Sequence, residues 1–227
     1  MRPREHPQRH LILLLLILVL FTISPLLLAF HYGVVVLNIV GASVLLAATC
    51  TMSARKRLFS VAMTLSLISI VTTGLLAAFP QTWAVLISHT SIIILVSFFA
   101  ITIMDYVVRQ GRVTADKIYA AICVYMLIGY AWAFAYSLLE EITPGSFTSP
   151  VPIEHNDYVG RVMQLRYFSF VTLATVGFGD VVPRSPLART LAMLEAIVVQ
   201  FYLVALVGRL IGLHIVTTTD STSRDKN

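Results

Sequence analysis

The residues with the most specific chemistry in this 227-residue chain stand together in Leu165-Arg166-Tyr167-Phe168-Ser169-Phe170-Val171-Thr172-Leu173-Ala174-Thr175-Val176-Gly177-Phe178-Gly179-Asp180. The first ten of these could form a helix of only about 15 Å, half a bilayer. Non-helical backbone is tolerated at membrane depth only where it is buried in protein or lines water. A half-helix running into Gly-x-Gly between apolar spans therefore implies a re-entrant loop around an aqueous path. The apolar run that follows carries Glu195 and Gln200, and polar groups at such depth are functional candidates. Gln200 shares a helical face with Ala196, Leu203 and Val207, while Glu195 lies about 140° round the helix and faces the preceding elements. Glu195 is expected to be protonated or bonded to a donor, with Tyr167, Arg166 and Tyr136 as candidates. The six histidines have no metal-ligand spacing. With no nucleophile beside a base, no phosphate loop and no paired catalytic carboxylates, neither an enzyme nor a cofactor is expected.

The elements that must position these residues follow from composition. Hydrophobic residues make up 58% of the chain, and only 16 basic and 11 acidic residues are present. No Asp, Glu, Lys or Arg occurs from Leu11 to Ala54 or from Leu58 to Met104, and each run is long enough for two crossings at about 20 residues apiece. A soluble globule, disorder, a coiled coil and a disulfide scaffold are excluded. Cys50 and Cys123 lie in apolar segments and read as small core hydrophobes. Six spans result: Leu11 to Phe30, Val34 to Met52, Leu58 to about Phe79, about Trp83 to Val108, Ile118 to Leu139, and about Leu187 to Gly208. Pro80 breaks the chain between the third and fourth. The roughly 47 residues between the fifth and sixth are too long for a simple connection and point to function.

Orientation follows from Lys and Arg near the span ends. With a cytoplasmic N-terminus, 12 of them fall inside and only Arg161, Arg166, Arg184 and Arg189 fall outside. Both termini are thus expected in the cytoplasm. The N-terminal apolar stretch is longer than a signal peptide core, and Leu28-Ala29-Phe30-His31 is a poor cleavage site, so it is expected to be retained.

Thr175-Val176-Gly177-Phe178-Gly179-Asp180 resembles the selectivity-filter signature of potassium channels. The resemblance extends over about Ile118 to Gly212 as outer helix, pore helix, filter and inner helix. It implies that the carbonyls of Thr175, Val176, Gly177, Phe178 and Gly179 bind dehydrated K+, with the Thr175 hydroxyl at the inner mouth. Gly177 and Gly179 supply backbone angles that cost a side-chain-bearing residue about 1–2 kcal/mol. Val176 and Phe178 are expected to point away from the axis and pack on the pore helix. The C-terminal dipole of that helix, about half a negative charge, favours a cation in the cavity. Asp180, Thr172, Tyr167, Phe168 and Glu195 are expected to support the filter, and Gln200, Leu203 and Val207 to line the cavity. Four copies are needed to surround one ion.

This sequence departs from the family pattern at three places. Phe178 replaces the Tyr of many members, so Tyr167 and Phe168 must hold the filter largely by packing. Val171 replaces the Glu that pairs with the filter Asp in some bacterial channels, which leaves Asp180 without that partner. Val199 replaces a hinge glycine.

The remaining features are weaker. Trp83 to Leu95 holds no Arg or Lys where voltage-gated relatives carry regularly spaced arginines, and the first three spans hold no acid, so weak voltage dependence is expected. Glu140, Glu141, Glu154 and Asp157, with Pro144, Pro150 and Pro152, read as a solvated extracellular turret. His89 reads as an interhelical hydrogen bonder, and Gly208 and Gly212, four apart, permit close helix approach. Fewer than 20 residues follow Arg209, so a cytoplasmic ligand-binding domain is not expected there.

The expectation is an all-α membrane protein of six transmembrane helices with a re-entrant pore helix and selectivity filter, assembled as a homotetramer. Its parts are a cytoplasmic N-terminus (1–10), four peripheral helices (11–108), a cytoplasmic linker (109–117), the pore domain (118–212) and a cytoplasmic tail (213–227). It passes K+ across the plasma membrane, or the inner membrane of a Gram-negative cell. Its partners are K+, lipid and its own copies, with no nucleic acid and no cofactor other than the permeant ion. A weakly selective cation channel or a polytopic transporter are the competing classes.

Overall fold

The computed structural model describes residues 9–27, 41, 44, 47–49, 56–79, 81–109, 114–150 and 158–224. The expected second span, Val34 to Met52, and the turret residues Glu154 and Asp157 lie largely or wholly outside them. Among the described residues the architecture is all-helical except for one two-stranded ribbon. The helices are α1 (Arg9–Leu27), α2 (Lys56–Ala78), α3 (Thr82–Val108), α4 (Ala115–Ile142), α5 (Tyr158–Leu173) and α6 (Pro186–Arg224). Strand β1 (Phe147–Thr148) lies between α4 and α5, and β2 (Val182–Pro183) lies between α5 and α6. Five of the helices are long and apolar enough to cross a membrane, and α5 is the exception. The chain is a multi-pass membrane protein.

Local chemistry sets the helix boundaries. The Thr114 hydroxyl accepts from the Lys117 amide at 3.3 Å and starts α4. Ser185 does the same for Ala188 at 3.1 Å, with Pro186 in the first helical position where a missing donor costs nothing. Three boundaries differ from expectation. Helix α5 begins at Tyr158 and has 16 residues, about 24 Å at 1.5 Å per residue. Helix α4 runs through Glu140 and Glu141 because both carboxylates find partners. Helix α6 continues without a break past Gly208, where a Cβ would meet nothing within 4 Å, so no close helix contact uses that glycine within the chain.

Helix α4 is the hub, packed on α1, α3, α5 and α6. The larger core cluster joins α1, α3 and α4 through Leu13, Ile17, Leu95, Phe99, Ala120 and Val124, and reaches Tyr202 of α6. A second cluster, Tyr136, Leu139, Phe147, Leu165, Phe168, Val181 and Ala188, fills the space between α4, α5 and the start of α6. Tyr136, Phe147 and Phe168 meet edge to face there, with centroids 5.2–5.3 Å apart, each pair worth about 0.5–1.5 kcal/mol beyond its burial.

Candidate functional site: the loop after α5

Helix α5 is fixed at both ends. At its start the fully buried Arg161 guanidinium pairs with Glu141 at 2.5 Å, and Tyr158 packs on Leu76, Ala84 and Val85 of the α2–α3 corner. Burial raises the Tyr158 phenol to about 12, so it stays neutral. The His89 ring meets Tyr158 and Phe134 edge-on at 5.3 and 5.5 Å. Its Nδ1 lies 2.8 Å from the Val85 carbonyl of its own helix, so His89 joins helices by ring packing and not by the expected interhelical hydrogen bond. Further along, Gly129 lets α5 approach α4, since a Cβ there would fall 2.7 Å from the Phe170 ring.

The chain leaves α5 by turning its next donors back onto it. Ala174 N bonds Phe170 O at 3.0 Å, Thr175 N bonds Thr172 O at 2.9 Å, and Val176 N and Gly177 N bond Val171 O at 3.0 and 3.4 Å. A trans peptide points its carbonyl opposite to its N–H. The carbonyls of Thr175 and Val176 are therefore directed away from α5. Thr175, Gly177 and Gly179 have φ of 58°, 57° and 77°, and Val176 and Phe178 between them do not have positive φ. Alternation of this kind lines successive N–H groups on one side of the chain and leaves the carbonyls on the other. Three residues, and not only the two glycines, adopt left-handed angles, and Thr175 does so with a side chain.

Support for this loop comes from side chains the sequence named, in partly different pairings. Tyr167 donates to Asp180 Oδ2 at 2.8 Å, a partner other than the Glu whose place Val171 takes. That bond holds the Asp180 carboxyl below the usual carboxylate range and raises the Tyr167 phenol. Asp180 Oδ1 also accepts from the Val181 amide at 2.9 Å. Phe178 is 70% exposed and stacks parallel to Tyr167 at 6.5 Å, and Val176 is 52% exposed. Of the expected packing on α5, the chain shows the Tyr167–Phe178 stack. Phe168 sits behind, in the second cluster, and Thr172 contributes its carbonyl to Thr175.

Glu195 is fully buried where three helices meet. Tyr136 of α4 donates to its Oε2 at 2.6 Å, and the Ser169 hydroxyl of α5 lies 2.5 Å from its Oε1. Of the expected partners, Tyr136 is there, Tyr167 is committed to Asp180, and the Arg166 guanidinium lies 5.3 Å over the Phe21 ring. Ser169 was not foreseen. A small hydroxyl in an otherwise bulky half-helix, with Gly129 available opposite, is the signal that could have found it.

The described residues that follow α4 are tied down more tightly than a solvated turret. Glu140 is buried and accepts from the amides of Gly145 and Phe147 at 2.7 and 3.0 Å. Strand β1 pairs antiparallel with β2, and the Ser146 carbonyl accepts from Arg184 N at 2.7 Å. The segments before and after the loop are thereby clasped together. On α6, Gln200 and Val207 are exposed on a single chain, whereas Leu203 is half-buried against the larger core.

A family model described as "Ion channel" matches residues 137–213, the region that holds α5, the loop and α6 to just beyond Arg209. The chain is 33% identical over 78 residues to the inward rectifier potassium channel Kirbac3.1 of Paramagnetospirillum magnetotacticum, a match covering 33% of this chain and 21% of that protein. The chain spans about a fifth of the length of that relative. No solved structure matches. These similarities mark residues 137–213 as similar to an ion-channel segment.

Proposed function

We propose that the chain is one subunit of a homotetrameric, potassium-selective channel, with six membrane helices, α5 as pore helix and Thr175 to Gly179 as filter. The observation that carries this reading is the alternating φ of the loop, combined with the return of the Val176 and Gly177 amides to Val171. Together they leave a row of carbonyls on the side away from α5. Four such rows around an axis replace the hydration shell of a dehydrated cation. The similarity to a protein named a potassium channel supports K+ as that cation. Assembly is supported by the apolar side chains α6 leaves uncovered, among them Met193, Ile197, Phe201 and Val204, since exposed apolar surface of this extent marks interfaces or lipid contact. Gln200 and Val207 then line the cavity, with Leu203 at its margin. Both termini lie in the cytoplasm, and the protein resides in the plasma or inner membrane.

Purified protein in liposomes tests this. A K+ gradient should drive passive flux that Na+ does not replace, and cross-linking should saturate at four chains. Equal K+ and Na+ permeation would leave the weakly selective cation channel as the reading. Flux that requires a coupled ion would leave the transporter.

A further inference from the structure

We infer that Glu195 carries a proton, and that this proton completes a directional hydrogen-bond chain from Tyr136 through Glu195 and Ser169 to the Gly129 carbonyl, which holds α6, α5 and α4 in register behind the filter. The inference rests on the channel reading for its consequence, but not for its chemistry. The argument is a count of hydrogens. The Ser169 hydroxyl lies 2.9 Å from Gly129 O and 2.5 Å from Glu195 Oε1, and it owns one hydrogen. With Glu195 ionised, both neighbours are acceptors competing for that hydrogen, and one short contact holds two oxygens with nothing between them. With Glu195 protonated on Oε1, the carboxyl donates to Ser169 Oγ and Ser169 donates to Gly129 O. Tyr136 meanwhile donates to Oε2. Three hydrogens then serve three contacts.

The surroundings agree with the count. Glu195 is fully buried, and an ionised carboxylate there would cost several kcal/mol unless paired with a cation. The titratable groups facing it are Tyr136 and, further along α4, Tyr125, and α5 offers the neutral Ser169. The basic residues of α5 are engaged elsewhere, Arg161 with Glu141 and Arg166 over Phe21. Among the described residues no Lys or Arg contacts the carboxyl. A charge created here by loss of the proton to water is thus uncompensated. Ser169 must then turn its hydrogen to the carboxylate, and the Gly129 link between α5 and α4 is released only six residues before Thr175. Glu195 is a positioning residue whose proton keeps the filter supported. The supported state is present at low and neutral pH and is lost as pH rises.

The test uses the whole protein in lipid. Infrared difference spectra between the parent and Glu195→Gln at neutral pH should show a protonated-carboxyl C=O band that the variant lacks. The band should move to higher frequency in Ser169→Ala, where the acceptor is gone, and this variant assigns it even if Glu195→Gln assembles poorly. Parent K+ flux should fall several-fold on the alkaline side, in step with the band. Glu195→Gln, whose amide can donate to Ser169 without ever ionising, should conduct without the alkaline fall. Absence of the band at neutral pH overturns the inference whatever the flux does, and a band that titrates while parent flux stays constant overturns the supporting role. A band with no K+ flux at any pH overturns the channel reading and leaves the proton in place.

Discussion

The junction of α2 with α3 and the junction of α4 with α5 and α6 both bury polar side chains, but of different kinds. Between α2 and α3 the contacts are between hydroxyls: Thr72 with Ser91 at 2.8 Å, Thr73 with Ser88 at 3.3 Å, Ser69 with Ser91 at 3.5 Å. Around α5 they involve carboxyls and a guanidinium, Glu195, Glu140, and Glu141 with Arg161. Hydroxyls return bonds to the carbonyls of their own helix, as Thr72 does to Ser69 and Ser91 to Ser88, so they cost little to bury. Carboxyls have no such local exit. They appear where backbone must be held in a form that helices cannot provide.

The largest effect expected from this contrast is at the loop itself. In Gly177→Ala or Gly179→Ala a Cβ is forced into a left-handed angle at about 1–2 kcal/mol per residue in each subunit. Neither position has a neighbour within 4 Å in the chain, so the strain is conformational and assembly should survive. Selective conduction should be lost, and reversal potentials in mixed K+ and Na+ measure it. Unchanged selectivity in both variants would refute the filter assignment.

On stability rather than conduction, the largest effect is expected at the ion pair at the start of α5. Arg161→Met leaves Glu141 buried without its cation and should destabilise the protein by about 3–5 kcal/mol, whereas Arg161→Met with Glu141→Leu should recover most of that loss. Thr72→Val in the other junction replaces one hydroxyl with its apolar isostere and should cost no more than about 1 kcal/mol. Thermal unfolding in detergent compares the three. A Thr72→Val loss as large as that of Arg161→Met would erase the distinction between the junctions.

The two junctions were not equally legible in the sequence. Four of the expected spans, read from charge-free and apolar runs, appear as helices that start and end within about three residues of expectation, whereas α6 runs on past Gly208 to Arg224. Glu140 and Glu141 read as solvated because hydropathy treats a carboxylate as exposed. The Arg161 partner and the Gly145 and Phe147 amides that neutralise them are distant in sequence or lie in backbone. The glycines of the loop were legible because φ is a local property, but the left-handed Thr175 was not, since no residue type announces strain. Tyr136 was foreseen as a Glu195 partner from helical facing. Ser169 and the Tyr167–Asp180 bond depend on how α5 is rotated, which a half-helix with apolar residues on most sides does not specify.

A smaller effect concerns Asp180. Because Tyr167 holds its carboxyl below the usual range, the contact is present at neutral pH and is lost only as pH falls through that lowered value. In Tyr167→Phe the carboxyl should return toward the ordinary range, so any acid-induced loss of conduction should begin at higher pH than in the parent. Both groups are exposed on the chain, and the shift should be modest. Flux recorded while lowering external pH compares the two, and coincident acid limbs would mean that Tyr167 does not hold Asp180.

The smallest effect should be at the α2–α3 junction, in response to voltage. A membrane charge moved across the field yields about 2.3 kcal/mol per 100 mV, so steep gating needs three or four such charges per subunit. Helix α3 has none to move: its one charged side chain, Asp105, lies at the end of the helix and pairs with Arg109 at 2.8 Å. Across the junction, α2 offers Thr72, Thr73 and Ser69, and a hydroxyl carries no net charge through any displacement. The basic residues of α2, Lys56 and Arg57, lie at its first turn, outside the stretch where the field falls. The α2–α3 corner touches α5 through Tyr158, so it is placed to steady α5 and not to pull on it. Open probability between −100 and +100 mV in symmetrical K+ should therefore change little, apart from the contribution of ions moving in the filter. A slope equivalent to several charges per tetramer that persists when the permeant ion is exchanged would show that these helices sense the field after all.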